Sequence, residues 1–431
     1  ELVLNGDIFD FDSCLVLPED APYEISWLEK LRGLHPEEPK SSFKIRAILD
    51  DHPIWVDALR RFIKKGNHLI FVIGNHDLEL HYPQVQRDII ERLNLDDEEK
   101  ARVRFCAWFY ISNNDTLIEH GNQYDPYCLA QTPIAPMIQK FNRVAIRIPF
   151  GNLATRYMIN GMGFFNPHVD SNYIMSAKEY VQFFIKYVWR AQPLLLWTWF
   201  WGAGMTLLQA FVDLLKPSLK DPLTIEDRIE DIAKKSNATP RMVREMKELS
   251  AHPAAFNPFL IARELWLDRA ILVLVFALLL FQLFAYINLV FKLSFFWIFI
   301  PFALFIPFFI FYSKAFHSNV HRYKEPDERI LALTSRITRV NRVVYGHTHI
   351  YRHEYFGSVE HLNSGTWSPA FLDIECTKPF GKKTFVAIEP GPEGRVGALY
   401  EFANGKATAL KGRRRSVERE MELARKDLSQ G

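Results

Sequence analysis

The sequence has few cysteines and no excess of charge of either sign. The first feature excludes two kinds of cysteine-based site, and the second excludes a bulk attraction to nucleic acid. The four cysteines among the 431 residues are scattered without a Cys-x-x-C pair. This spacing excludes a cysteine zinc site and a disulfide framework, and it favours a reducing compartment. Lys and Arg number 52 against 50 Asp and Glu, which gives a net charge of +2. Such a balance provides no bulk attraction to nucleic acid, so no nucleic-acid partner is expected.

Four apolar runs are each followed by a short motif of polar residues. The run at 69–73 has the pattern of a buried strand. The polar residues that follow the four runs are Asp7 and Asp10, then Asn75, His76 and Asp77, then His120, and finally His347 and His349. In α/β folds, sites are built outside the carboxyl ends of strands, so we expect these side chains to meet. Carboxylate, amide and imidazole groups together suit a first-row divalent metal.

These motifs resemble those of the calcineurin-like metallophosphoesterase superfamily. The matching stretches are Gly6-Asp7-Ile8-Phe9-Asp10, Gly74-Asn75-His76-Asp77, Glu119-His120-Gly121 and Gly346-His347-Thr348-His349. The resemblance implies an α/β fold, namely a four-layer α/β/β/α sandwich of mixed sheets, here with a helical membrane-associated insertion. The family's D-x-H motif would lie upstream of Glu1. We interpret its absence as an incomplete N-terminus, the alternative being loss of one metal site.

The resemblance also implies a cofactor of two divalent metal ions, Mn, Fe or Zn, and assigns ligands to them. Asp7 would bridge the two ions. The other implied ligands are Asn75, His120 and His347 for one ion, and His349 for the second. Two such ions lower the pKa of a bound water and hold the phosphoryl oxygens.

The remaining motif residues are implied to act on the leaving group. His76 would serve as a general acid, with Asp10 orienting it and Asp77 sharing that role, because a catalytic histidine needs a partner that fixes its tautomer. Phosphoprotein phosphatases of the family carry Arg where this chain has Phe11. We therefore expect a less polar substrate, with the apolar residues around Phe9 and Phe11 facing it.

A segment of about 200 residues separates the third and fourth motifs and contains long uncharged stretches. Residues 271–312 form two halves divided at Lys292, and each half reaches the ~20 residues that cross a bilayer. We predict a transmembrane hairpin there. The Trp-rich stretch 193–212 fits either a membrane span or an interfacial helix. Because the flanking motifs must meet on one side of the membrane, two spans in the hairpin favour the interfacial alternative.

Charge at the hairpin ends predicts its orientation. The basic residues near the two ends are Arg263, Arg269, Lys314, Arg322 and Lys324, against Lys292 alone at the tip. The positive-inside rule then predicts a catalytic domain on the cytoplasmic face. The predicted domains are 1–124 and 331–405 for the two parts of the metallophosphoesterase domain, 125–330 for the insertion and 406–431 for a charged tail.

Two functions are compatible with these features. The favoured one is a membrane-bound phosphohydrolase that attacks a phosphoester or pyrophosphate, such as a lipid-linked one, with a metal-bound hydroxide. The alternative is a catalytically silent membrane scaffold that keeps the fold. The membrane and a phosphoester substrate are the predicted partners, and the sequence leaves protein partners open.

Overall fold

The computed structural model describes most of the chain, and within the described part the fold is mixed α/β. The described residues are 1–140, 143–160, 195–216, 222–316, 326–368, 370–371, 379–380, 382–392 and 394–410. Three features from the sequence lie outside these ranges: residues 193–194 of the Trp-rich stretch, the basic residues at 322 and 324, and residues 411–431 of the charged tail.

The strands form two main sheets and three smaller β-structures. They are β1 (Leu2–Asn5), β2 (Leu69–Val72), β3 (Val103–Cys106), β4 (Phe109–Ser112), β5 (Thr116–Glu119), β6 (Met137–Lys140), β7 (Arg143–Ile146), β8 (Arg342–Tyr345), β9 (Arg352–Phe356), β10 (Val359–Asn363), β11 (Ala370–Phe371), β12 (Pro379–Phe380), β13 (Thr384–Gly391), β14 (Gly394–Ala403) and β15 (Lys406–Leu410). The first sheet has the order β1-β2-β3 and is parallel. The second has the order β4-β5-β8-β10-β9 and is mixed.

Helices precede, follow and interrupt these strands. They are α1 (Trp27–Arg32), α2 (Glu38–Asp51), α3 (Pro53–Lys64), α4 (Pro83–Leu93), α5 (Asp97–Lys100), α6 (Phe150–Ala154), α7 (Leu195–Leu214), α8 (Pro222–Lys235), α9 (Pro240–Lys247), α10 (Pro258–Glu264), α11 (Leu267–Val290), α12 (Phe299–Ala315) and α13 (Glu328–Thr338). A π-helical turn, Thr155–Ile159, continues α6.

Three apolar clusters hold the helices and the two sheets together. The first joins α2, α3 and α4 to one side of the first sheet through residues such as Leu49, Ile63, Ile89 and Phe71. The second lies between the sheets and includes Ile70, Val72, Val344 and Leu362. The third joins α8, α9 and α13 to the second sheet through Ile229, Val243, Leu331 and Val343. Helices α8 and α9, which the sequence assigned to the insertion, therefore pack on the second sheet.

The sequence predicted the β-α-β unit at the start of the chain correctly. Helix α3 begins at Pro53 and Gly66 follows its end, the arrangement that fixed backbone angles at Pro and a left-handed glycine favour. For residues 103–111 the sequence pattern predicts one strand, and that prediction is wrong. The structure divides it into β3 and β4, which belong to different sheets. Phe105 of β3 stacks on Phe71 of β2, whereas Trp108 donates a hydrogen bond across to Glu119 at the end of β5.

Two segments, Leu267–Val290 and Phe295–Ala315, are long and apolar enough to cross a membrane. They form a helical hairpin, and its crossing of a membrane stays a prediction. Phe276 and Phe305 stack with their ring centroids 4.0 Å apart. At the base of the hairpin, the Tyr312 hydroxyl donates to Asp268 Oδ2 at 3.0 Å. The outer faces of both helices remain exposed and apolar.

We expect Lys44→Met to destabilise the first half of the domain. The Lys44 ammonium is completely buried, lies 3.1 Å from Glu79 Oε1 and donates to the Phe11 carbonyl at 3.0 Å. Removing one partner of a buried ion pair leaves an uncompensated charge, which costs about 3–5 kcal/mol. Chemical denaturation of the purified protein measures the loss. Lys100→Met, which removes an exposed partner of Asp97, should leave the midpoint unchanged, and equal shifts in the two variants would contradict this account.

Candidate metal centre

Two glycines let the loops after β1 and β2 lie unusually close to other site residues. A Cβ at Gly6 would lie 2.3 Å from His120 Nδ1, and a Cβ at Gly74 would lie 2.4 Å from Asp7 Oδ1. Gly6 also has a φ of +73°, which an L side chain adopts only with strain. Because β1 and β2 pair in parallel, the two loops leave the sheet at the same edge.

Three of the predicted ligands meet beside the ends of β1, β5 and β8. The ligand atoms of Asp7, His120 and His347 lie within 4.8 Å of one another. Asp7 Oδ2 is 3.0 Å from His120 Nε2, and His120 Nδ1 is 2.9 Å from the Asn5 carbonyl oxygen. A carbonyl on one ring nitrogen directs the other toward the site, as is usual for a metal-binding histidine.

The charge state of Asp7 also suits a ligand. Burial alone would raise the pKa of Asp7, but the neighbouring His120 and His76 outweigh it and hold the pKa below its ordinary value. The carboxylate is therefore ionised at neutral pH. The His76 backbone N–H donates to its Oδ1 at 2.8 Å, so the loop after β2 fixes its direction.

Asn75 presents a buried amide oxygen that lacks a hydrogen bond. The residue is 3% exposed, and its Nδ2 donates to Asn152 Oδ1 at 3.4 Å. Its Oδ1 has no hydrogen-bond partner among the described residues. An unsatisfied buried acceptor is costly, and amide oxygens bind divalent metals. The chemistry of this orphaned oxygen therefore fits a metal ligand.

His76 lies between two carboxylates at the mouth of the site. Its Nδ1 is 3.5 Å from Asp10 Oδ1 and 3.6 Å from Asp12 Oδ2. Burial would lower the pKa of His76, but the charges of Asp7 and Asp10 raise it to about 10. The ring is therefore protonated at neutral pH and able to donate a proton. Ligand atoms of Asp10, Asp12 and His76 also lie within 4.8 Å of one another, a second group that could hold an ion.

Asp77 has different partners from those that the sequence suggested. Its Oδ2 accepts the Ile8 N–H at 2.8 Å and its Oδ1 accepts the Gly74 N–H at 2.6 Å. Burial, and next the charge of Asp7, raise the pKa of Asp77 to about 7. The Asp77 carboxyl group therefore joins the backbones of the two loops. The carboxylates that lie beside His76 are those of Asp10 and Asp12.

The loop after β8 brings His347 against a second acidic side chain. His347 Nε2 is 3.1 Å from Asp125 Oδ2, and Cys128 Sγ lies within 4.8 Å of both ligand atoms. One cysteine therefore borders the site. Burial raises the pKa of the Cys128 thiol well above its ordinary value, which keeps it protonated. His349, on the same loop with a φ of +60°, joins none of the His, Asp and Cys groups found among the described residues.

Sequence reasoning missed three polar residues of this region: Asp12, Asp125 and Asn152. Asp12 is buried, and burial, followed by the charge of Glu79, raises its pKa to about 6. Its position two residues after Asp10 was the available signal. Asp125 follows the His-Gly motif by four residues. Asn152 carried no signal, since it lies in the insertion, 77 positions from its partner Asn75.

The expectation that aromatic rings near the first motif face a substrate is wrong. Phe9 and Phe11 are 3% and 1% exposed and belong to the apolar core of the first sheet. Phe9 packs edge-on against Trp55 and stacks on Phe71. Position 11 therefore lacks the cation that an Arg would provide, and the buried Phe11 ring offers no apolar contact to a ligand.

Comparison with known proteins adds little to this geometry. No family model matches the chain, and no curated protein matches it. Among solved structures it is similar to a double mutant of Vps29 from Entamoeba histolytica, with 21% sequence identity and a TM-score of 0.16. The match covers 20% of this chain and 46% of that chain, so it spans less than half the length of Vps29.

Proposed function

We propose that this protein is a membrane-bound, divalent-metal-dependent phosphohydrolase with a calcineurin-like four-layer fold. The observation that carries the proposal is the convergence of Asp7, His120 and His347, to which Asn75 would add a buried amide oxygen that has no hydrogen bond among the described residues. The layered packing of helices on two facing sheets supports the fold assignment. The substrate class we infer is a phosphoester or pyrophosphate carried by a lipid.

The donor set fits a divalent metal in charge and chemistry. Asp7 supplies an anionic oxygen, Asn75 a neutral oxygen, and His120 and His347 supply imidazole nitrogens. These are the ligand types that Mn, Fe and Zn accept. When bound, such ions lower the pKa of a coordinated water and neutralise phosphoryl oxygens. In this proposal a second ion binds His349 and further ligands that are not among the residues named above.

The protein's own groups then have distinct tasks. His76, protonated between Asp10 and Asp12, would donate its proton to the leaving oxygen. Asp77 ties the backbones of the loops after β1 and β2, which keeps Asp7 and Asn75 at a fixed separation. General acid catalysis of this kind contributes typically about 10²–10⁴-fold to a rate.

The hairpin supports membrane attachment. Its outward side chains are apolar and exposed, with Leu279 at 61% and Leu304 at 74%. Apolar patches of this extent mark membrane or protein contacts. The basic residues Arg263, Arg269 and Lys314 at the hairpin base favour a cytoplasmic catalytic domain.

Hydrolysis by the purified full chain in detergent tests this function. The protein is stripped with a chelator, reloaded with Mn²⁺, Fe²⁺ or Zn²⁺, and assayed with bis(4-nitrophenyl) phosphate and with a diacylglycerol pyrophosphate. We expect hydrolysis that requires metal and that His120→Ala abolishes. A folded protein that binds metal and hydrolyses neither compound would instead favour the silent scaffold.

Cysteine labelling tests the proposed topology. We expect Lys292→Cys at the hairpin tip and Asp97→Cys on the exposed helix α5 to react with a membrane-impermeant maleimide from opposite sides of sealed vesicles. The unmodified protein provides the background from its own cysteines. Labelling of both positions from the same side would show that the hairpin does not cross the bilayer.

A further inference from the structure

The insertion contributes a buried amide to the centre of the site. Asn152, on α6, is 1% exposed. Its Nδ2 donates to Asp12 Oδ2 at 2.6 Å and to the Asn75 carbonyl oxygen at 2.9 Å. One side chain of the insertion thus connects the loop after β1 to the loop after β2.

These bonds determine which way the Asn75 amide faces. The two acceptors, a carboxylate and a carbonyl, require the Asn152 NH₂ group, so the Asn152 oxygen is left toward Asn75. That oxygen in turn requires the Asn75 NH₂ group, which donates to it at 3.4 Å. The Asn75 oxygen is consequently directed away from Asn152, and it is the atom without a hydrogen bond among the described residues.

We propose that Asn152 is a positioning residue of the metal centre, which holds the Asn75 amide with its oxygen toward the metal. In the same arrangement, helix α7 connects to the site through α6, the helix that carries Asn152. This inference rests on the proposed function for the role of Asn75. Part of the insertion is then a component of the metal centre, in addition to the ligands implied by the motifs.

The link to α7 is a close backbone contact. A Cβ at Gly202 of α7 would lie 2.6 Å from the Tyr157 carbonyl oxygen, in the π-helical turn that follows α6. One turn further, Asn160 Nδ2 donates to the Asp12 carbonyl at 2.8 Å. Helix α7 also exposes aromatic side chains, with Trp197 63% and Phe200 46% exposed. Trp-rich faces of this kind lie at membrane interfaces, so the contact connects a membrane-facing helix to the metal ligands.

Asn152→Asp tests the positioning role, because it keeps the side-chain size and removes both donated hydrogen bonds. It also sets a carboxylate against Asp12. We expect the affinity for Mn²⁺, measured by calorimetry on the chelator-stripped full chain in detergent, to fall about 10- to 100-fold, the usual cost of losing a residue that hydrogen-bonds a metal ligand. Adding Asp12→Asn to this variant reverses the hydrogen bond between the two positions, since the amide at position 12 then donates to the carboxylate at position 152. The double variant should therefore recover part of the affinity for Mn²⁺. A merely structural role would lower thermal stability and leave the affinity of the folded protein unchanged, and that result would overturn the proposal.

Gly202→Ala tests the connection to α7, with Gly204→Ala as its matched control. A Cβ at Gly204 meets no atom within 4 Å. We expect Gly202→Ala to weaken Mn²⁺ binding while Gly204→Ala leaves it unchanged; equal affinities would overturn the α7 connection. Metal affinity is measured independently of hydrolysis. If the wild type binds Mn²⁺ without hydrolysing phosphoesters, the proposed activity fails while the Asn152 variants still decide this inference, and a wild type that binds no metal overturns both.

Discussion

Asp7→Asn is expected to abolish metal-dependent hydrolysis while leaving the fold intact. The carboxylate lies 3.0 Å from His120 and accepts the His76 N–H at 2.8 Å. An asparagine oxygen can keep the second bond, but the substitution removes the only negative charge in the Asp7, His120 and His347 group. Loss of a direct ligand should lower metal affinity by more than the about 10- to 100-fold that follows from losing a residue that only hydrogen-bonds a ligand.

The stability of the metal-free protein distinguishes this effect from unfolding. The attraction of His120 is lost, but so is the repulsion by Asp7 that adds to the effect of burial in raising the pKa of Asp77. These changes oppose each other, so we expect the thermal midpoint of the stripped protein to remain close to that of the wild type. Calorimetric titration with Mn²⁺ measures the affinity. Asp20→Asn, an exposed substitution with the same change in charge, should bind as the wild type does, and retained affinity in Asp7→Asn would refute the ligand assignment.

His76→Gln is expected to lower kcat about 10²–10⁴-fold, the typical contribution of a general acid, with unchanged metal affinity. Its ring is placed beside Asp10 and Asp12 and is protonated at neutral pH. The backbone N–H that orients Asp7 is retained in the variant. The loss should be larger for an alkyl phosphodiester than for a 4-nitrophenyl ester, since a good leaving group needs little protonation.

The pH dependence of His76→Gln provides the independent readout. Because Asp7 and Asp10 raise the pKa of His76, the wild-type ring keeps its proton at neutral pH and loses it as the pH rises through that pKa. Wild-type kcat should therefore fall on the alkaline side, and the variant should lack this limb. A variant that loses Mn²⁺ instead, with its remaining activity showing the wild-type pH profile, would show that His76 is a ligand.

The sequence predicted that Asp7, His120 and His347 meet, because local pattern determines the strands that carry them. A buried β-branched run followed by Gly and ligand residues specifies a strand and its loop without reference to the rest of the chain. Parallel pairing of β1 with β2 and of β5 with β8 then brings Asp7, Asn75, His120 and His347 to one region. These features depend on periodicity and on turn chemistry, both of which are visible in the sequence.

What the sequence could not predict depends on contacts between distant segments. Asn152 becomes a site residue only because α6 packs beside two loops that precede it by more than 70 positions. Phe9 and Phe11 looked available for a substrate, yet tertiary packing buries both. The continuous apolar run from Phe105 to Ile111 gave no sign that the chain would leave the first sheet after Cys106 and enter the second sheet at Phe109.

Anomalous X-ray diffraction at the manganese absorption edge, from crystals of the full chain grown with Mn²⁺, would show whether Asp7, His120 and His347 bind the metal. We expect a peak within bonding distance of these three residues, with the Asn75 Oδ1 atom as a further ligand. A peak found only among Asp10, Asp12 and His76, or the absence of any peak at the Asp7 group, would contradict this ligand assignment.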